Sequence, residues 1–112
     1  MSYVYAASDG FAVKIGVSDR PSARLSWLQT GNPRKINIIA QERFHERAVA
    51  LMVERRVLDG YSNFRRCGEW IDAPAGPVVW FLSFVADAQR AVDARTSRDL
   101  EDSMDAFYEA GA

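Results

Sequence analysis

Tyr3-Val4-Tyr5-Ala6-Ala7-Ser8-Asp9-Gly10-Phe11-Ala12-Val13-Lys14-Ile15-Gly16-Val17-Ser18 is the stretch on which the fold turns. Two runs of β-branched, aromatic and small residues flank Asp9-Gly10, a strong short-range hairpin signal. Ser2 to Ala7 reads as one strand and Phe11 to Val17 as its antiparallel partner. Tyr3 and Tyr5 share a parity, so they share one face of the first strand.

Working outward, Ser18-Asp19-Arg20-Pro21 is a helix-start signature, with capping residues ahead of a proline. That helix is expected from Pro21 to Gln29 and stops at Thr30-Gly31-Asn32-Pro33. Arg34 to Phe44 reads as a third strand around Ile36, Ile38 and Ile39. A long helix is expected from Glu46 to Asp59, closed by Gly60. Glu69-Trp70-Ile71 is a short strand, and Pro74 to about Thr96 a helix with Val78, Val79, Phe81, Leu82, Val85 and Ala86 as its apolar stripe. The order is β-β-α-β-α-β-α. It predicts an α/β (α+β) domain with a small central antiparallel sheet of three to four strands, flanked by helices. Residues 1–96 form the expected domain. Residues 97–112 are acidic and amphipathic (Leu100, Met104, Phe107, Tyr108) and read as a short helix or a tail.

Composition sets the bounds. The chain has 112 residues, 48% of them hydrophobic, enough for one domain with a core. A single cysteine, Cys67, excludes a disulfide framework and a cysteine-based zinc site, and one reduced thiol fits the cytoplasm. His45 is the sole histidine, so a His-rich metal cluster is excluded too. No basic region followed by an apolar stretch opens the sequence, so no secretory signal is expected. The longest apolar run, Pro77 to Ala86, falls well short of the ~20 residues that span a bilayer and predicts a buried helix.

Net charge is −1, which by itself argues against nucleic acid. Its distribution does not. Residues 1–66 hold 11 Lys/Arg against 6 Asp/Glu, and residues 67–112 hold 3 against 9. Local charge, not the total, sets the field a phosphate backbone feels. Arg34, Lys35, Arg43, Arg47, Arg55, Arg56, Arg65 and Arg66 are candidates for a phosphate-tracking surface, of which Arg34, Lys35, Arg55, Arg56 and Arg66 are the chosen set. Salt bridges to Glu42, Glu46 or Asp59 are the competing use for them.

Glu54 stands out among the carboxylates. Its helical neighbours Ala50, Leu51, Val57 and Leu58 are all apolar. A carboxylate in an apolar patch needs a cation, either a metal or a basic side chain such as Arg24 or Lys14. Arg24 in turn has Trp27 and Leu28 one turn on, so its fork lies beside apolar surface, suited to a phosphate. Glu69 and Trp70 read as structural.

Together these pieces resemble the GIY-YIG nucleases, and within them the branch named for the T5orf172 and Mug113 domains. Tyr3-Val4-Tyr5 looks like the first family strand motif, and Lys14-Ile15-Gly16-Val17-Ser18 like the second, with lysine where other branches carry tyrosine. Pro21-x-x-Arg24-Leu25-x-x-Leu28-Gln29-Thr30-Gly31-Asn32-Pro33 is similar to the branch's helix motif. Glu54, Tyr61, Arg65 and Gly68-Glu69-Trp70 fit its distal part. Two positions depart from the pattern: Leu58 stands where the branch usually has histidine, and Ile71 where it has phenylalanine.

The resemblance implies a divalent-metal-dependent endonuclease acting on DNA, of phage or bacterial origin. Glu54 would hold one Mg²⁺ or Mn²⁺, Arg24 would brace the phosphate, and Tyr5 with Lys14 would activate the water. Tyr3, Ser18 and Arg65 are secondary candidates. The rival expectation is a silent nuclease-like module that binds DNA or protein; a third makes residues 97–112 a docking helix for a larger partner that supplies specificity.

Overall fold

The computed structural model describes residues 1–65 and 70–110, with side chains through Thr96. Arg66, Cys67, Gly68 and Glu69 lie outside the described residues, and so do the side chains of the expected stripe at Leu100, Met104, Phe107 and Tyr108.

The chain runs β1 (Ser2–Ser8), β2 (Val13–Ser18), α1 (Pro21–Gln29), β3 (Asn37–Phe44), α2 (Arg47–Gly60), a 3₁₀ turn (Ser62–Phe64), β4 (Trp70–Ile71) and α3 (Ala75–Ala110). The four strands form one sheet in the order β3-β1-β2-β4, every pairing antiparallel. The expected element order and fold class are both present.

The hairpin is real, but its turn is wider than Asp9-Gly10 alone. Asp9 Oδ1 accepts hydrogen bonds from the backbone N–H of Phe11 and of Ala12, both at 2.9 Å. Phe11 and Ala12 therefore belong to the turn, and β2 starts at Val13. Gly10 sits at φ +94°, a conformation that glycine adopts without strain.

The strand at Arg34 also begins later than expected, at Asn37. The reason is the Gln29 side chain. Its amide donates to the Arg34 carbonyl at 2.8 Å, and its Oε1 accepts from Ile36 N–H at 2.8 Å. Residues 34–36 are thus held against the end of α1 before the strand begins. Between Ala6 and Ala7 the β1/β3 register slips by one, leaving Ile39 as the extra residue.

Gly60 does not close α2 as a left-handed cap. It is the last residue of the helix, and a Cβ there would collide with the Phe81 ring. Its smallness serves the packing of α2 on α3. The capping signature before α1 works differently as well. Arg20 occupies the cap position without a side-chain bond, and Ser18 Oγ accepts from Arg20 N–H at 3.0 Å.

The core lies on one face of the sheet. Val4, Ala6, Val13 and Ile15 pack against Ala50, Val53, Val57 and Leu58 of α2 and Val78, Leu82, Val85 and Ala86 of α3. Of the stripe expected on α3, Val79 and Phe81 are only partly buried. The apolar run 77–86 is not buried all round: Trp80 and Phe84 face solvent and stack on each other, ring centroids 5.6 Å apart. Helix α3 continues without a break into the residues expected to form a separate piece from 97 on. No helix among the described residues is long and apolar enough to cross a membrane.

The opposite face of the sheet carries a smaller cluster. Tyr5, Ala7 and Ile36 pack with Leu25 and Leu28 of α1 and with Trp70.

Candidate functional site

Strand parity sends Tyr5 and Gly16 to the α1 face of the sheet, where they are direct cross-strand partners. Tyr5 is 2% exposed. Its ring lies across Gly16, where any Cβ would strike the phenol oxygen and ring carbons. This is why glycine follows Lys14-Ile15: it gives the tyrosine ring a bed on the neighbouring strand.

Past this point no described strand flanks the outer edge of β2. Among the described residues, β4 pairs only with Val13 and Lys14, so the half of β2 that ends at Ser18 has no further strand beside it. A cleft of about 430 Å³ opens here, lined by Tyr5, Gly16, Val17, Ser18, Arg24, Arg47, Leu51 and Glu54. Its floor is the tyrosine and the glycine. One wall is α1, contributing Arg24. The other is α2, where Arg47, Leu51 and Glu54 recur at helical spacing and so share a flank.

The turn before α1 is tied to both sides of this cleft. Ser2 Oγ donates to Asp19 Oδ1 at 2.8 Å, and Arg47 Nη1 lies 3.9 Å from the same oxygen. Asp19 and Arg47 are both largely exposed, so their ion pair contributes little stability. Its effect is geometric, linking the starts of β1, α1 and α2.

Tyr5, Arg24 and Glu54 are thus brought to one cleft, with Ser18 beside them. Lys14 is not among the residues lining it. That lysine is only 9% exposed and sits one register step further along the sheet, its Nζ 5.9 Å from the centroid of the Trp70 ring. The register pairs it with Ala7 and Trp70, which leaves it diagonal to Tyr5 on the partner strand. Tyr3 is half-buried opposite Ser18 and Arg43 and does not line the cleft either. Arg65 is exposed, its backbone bridged to Ile71.

Leu58 is 7% exposed and belongs to the α2/α3 core cluster. The position four residues after Glu54 therefore points into the apolar core and is not part of the cleft lining. A leucine at this position leaves the cleft's own side chains untouched.

Of the expected phosphate-tracking set, the described members Arg34, Lys35, Arg55 and Arg56 do not line the cleft. Arg55 and Arg56 are exposed on α2 but turned roughly 100° and 200° from Glu54 around the helix, and neither lines the cleft. Arg34 lies in the loop before β3, 3.8 Å from Asp9 and stacked over Phe11 with its guanidinium carbon 4.0 Å from the ring centroid. Lys35 lines a second hollow, of about 510 Å³, on the other flank of α1. Glu42 takes Arg90 at 2.9 Å as its partner. Arg47 was overlooked as a cleft residue. Its place seven residues before Glu54, on the same helical face, was a usable signal.

Among the described residues, no group of three or more His, Cys, Asp or Glu side chains could hold a metal ion. A metal in this cleft would have Glu54 as its protein ligand. That donor set suits Mg²⁺, which takes one or two carboxylates and fills its shell with water and phosphate oxygens.

No curated protein and no solved structure matches the chain. The T5orf172 domain model matches residues 2–94, from the start of β1 well into α3, and so spans every element that shapes the cleft. The chain belongs to the T5orf172 domain family, a GIY-YIG-like, endonuclease-associated domain.

Proposed function

We propose that this domain is a divalent-metal-dependent endonuclease that hydrolyses DNA phosphodiester bonds. The observation that carries the reading is the meeting of Tyr5, Arg24 and Glu54, from three elements, in one open cleft with Arg47 beside them.

Each side chain has a task that suits its chemistry. The Arg24 fork binds two oxygens of the scissile phosphate and offsets the charge that grows there in the transition state. Arg47, on the facing wall, holds an adjacent phosphate. The Tyr5 phenol oxygen, fixed by its bed on Gly16, orients the attacking water and, as the phenolate, takes its proton to become the neutral phenol. Lys14 acts from behind as a fixed positive charge near the tyrosine, without touching DNA. Glu54 holds one Mg²⁺ or Mn²⁺; when bound, such an ion supplies charge neutralisation and a more acidic water.

A second reading, a DNA-binding module without turnover, is favoured by the presence of just one carboxylate in the lining among the described residues. Supercoiled plasmid with Mg²⁺ or Mn²⁺ decides between them. Nicking by the wild type, reduced at least about 100-fold in Glu54→Ala with an unchanged melting curve, supports the enzyme. Equal inactivity of both proteins, with DNA retarded at low salt, supports the binding module.

A further inference from the structure

Helix α1 offers three distinct sides. Pro21, Leu25 and Leu28 face the sheet. Leu25, Ser26 and Gln29 border the hollow shared with Lys35 and Ile36. Arg20, Arg24 and Trp27 recur at positions i, i+4 and i+7, so they run along the remaining flank. Arg24 lines the cleft, which identifies that flank as the cleft side.

Trp27 is 76% exposed, more than any other large hydrophobic residue described. It adds little to the core. A lone exposed aromatic residue would be unremarkable. This one stands one helical turn, about 4.5 Å, beyond an arginine of the cleft, with a second exposed arginine, Arg20, on the same flank. An aromatic face among guanidinium groups is the arrangement by which proteins hold unpaired nucleic acid, the bases stacking and the phosphates paired with cations.

We propose that Trp27 is a base-stacking residue for single-stranded DNA, engaging the nucleotide next to the phosphate that Arg24 braces. This rests on the cleft being a DNA site. It goes further in naming the substrate class: a strand unpaired at the step being held. In a duplex, the base faces are already stacked on one another, and an indole ring at the cleft rim would find only edges and backbone.

The test is a binding measurement without added metal, separate from cleavage. Full-length Glu54→Gln protein is titrated into fluorescein-labelled oligothymidine of about 15 nucleotides, and into a duplex of equal length, at low salt with anisotropy as readout. Adding Trp27→Ala weakens single-strand binding roughly 10- to 100-fold and changes duplex binding by about twofold at most. Trp27→Phe keeps most of the single-strand affinity, because it keeps a ring. An equal loss for both DNAs overturns the proposal, as does no loss for either, or a parent protein that binds neither. A wild type that binds in this pattern but never nicks plasmid removes the enzyme reading and leaves the stacking residue standing.

Discussion

The two faces of the central sheet are built from alternate residues of the same strands, yet they are unlike. Val4, Ala6, Val13 and Ile15 meet α2 and α3 in a dry cluster made of apolar side chains. Tyr5, Lys14 and Gly16 meet α1 on a face that holds an aromatic hydroxyl, a nearly buried ammonium and a bare backbone. The first face stabilises the fold by removing apolar area from water. The second has a shorter helix over it, and its cleft borders the end of β2. Because the period of a strand is two, alternate residues serve the dry core and the cleft floor three or four ångströms apart along the backbone, while α2, the helix over the dry face, also supplies Arg47, Leu51 and Glu54 to the cleft.

That separation can be broken experimentally. The largest effect is expected at Leu58, on the dry side. Leu58→His introduces the residue that the resemblance leads one to expect there, but it puts an imidazole into an apolar cluster. It should cost about 3 kcal/mol and lower the melting temperature by roughly 10 °C or more, with cleavage per folded molecule no better than wild type. A gain in cleavage would show that the two faces communicate.

Next is Gly16→Val, on the cleft side. Its side chain must displace the Tyr5 ring, at a cost of about 1–3 kcal/mol for overpacking. Unlike Leu58→His, it should remove nicking even at temperatures where circular dichroism reports a folded protein.

The smallest effect belongs to the hairpin turn, which serves neither face directly. The backbone N–H of Ala12 holds the Asp9 carboxyl below its ordinary value of 3.8, helped by Phe11 N–H and by Arg34, against the opposing effect of burial. A lowered native value means that the stabilisation is present above the ordinary carboxylate range and is lost as pH falls through the native value. Asp9→Asn should therefore destabilise the protein by about 1 kcal/mol near neutrality. The gap between the two proteins should close as pH drops below 3.8 in urea titrations, and a gap that widens with acid would contradict the assignment.

Much of this was legible beforehand. The Asp-Gly turn, the proline at the head of α1 and the helical repeats of α2 and α3 are local signals, and the elements follow them within a few residues. Glu54 was legible as a carboxylate with apolar neighbours, and the resemblance to GIY-YIG nucleases joined it to Tyr5 and Arg24. Three things were not legible. That Gly16 is the residue directly opposite Tyr5, with Lys14 diagonal to it, is fixed by the strand register. Gly60 looked like a cap because glycine often ends helices, while its actual constraint is a ring from α3, 21 residues further along the chain. Residues 97–110 looked separable by their charge, yet the helix runs through them without a break.

The sequence by itself determined the inventory: which segments are strands or helices, which residues alternate to which face, and which few side chains could handle a phosphate. Those follow from backbone preferences and periodicity, which act over a handful of residues. Only the tertiary structure decided which of those side chains share a cleft, that a two-residue β4 leaves the cleft end of β2 uncovered among the described residues, and that Leu58, four residues after Glu54, points inward. Such matters depend on register and on packing between segments far apart in the chain, where a shift of one residue sends a side chain to the opposite face.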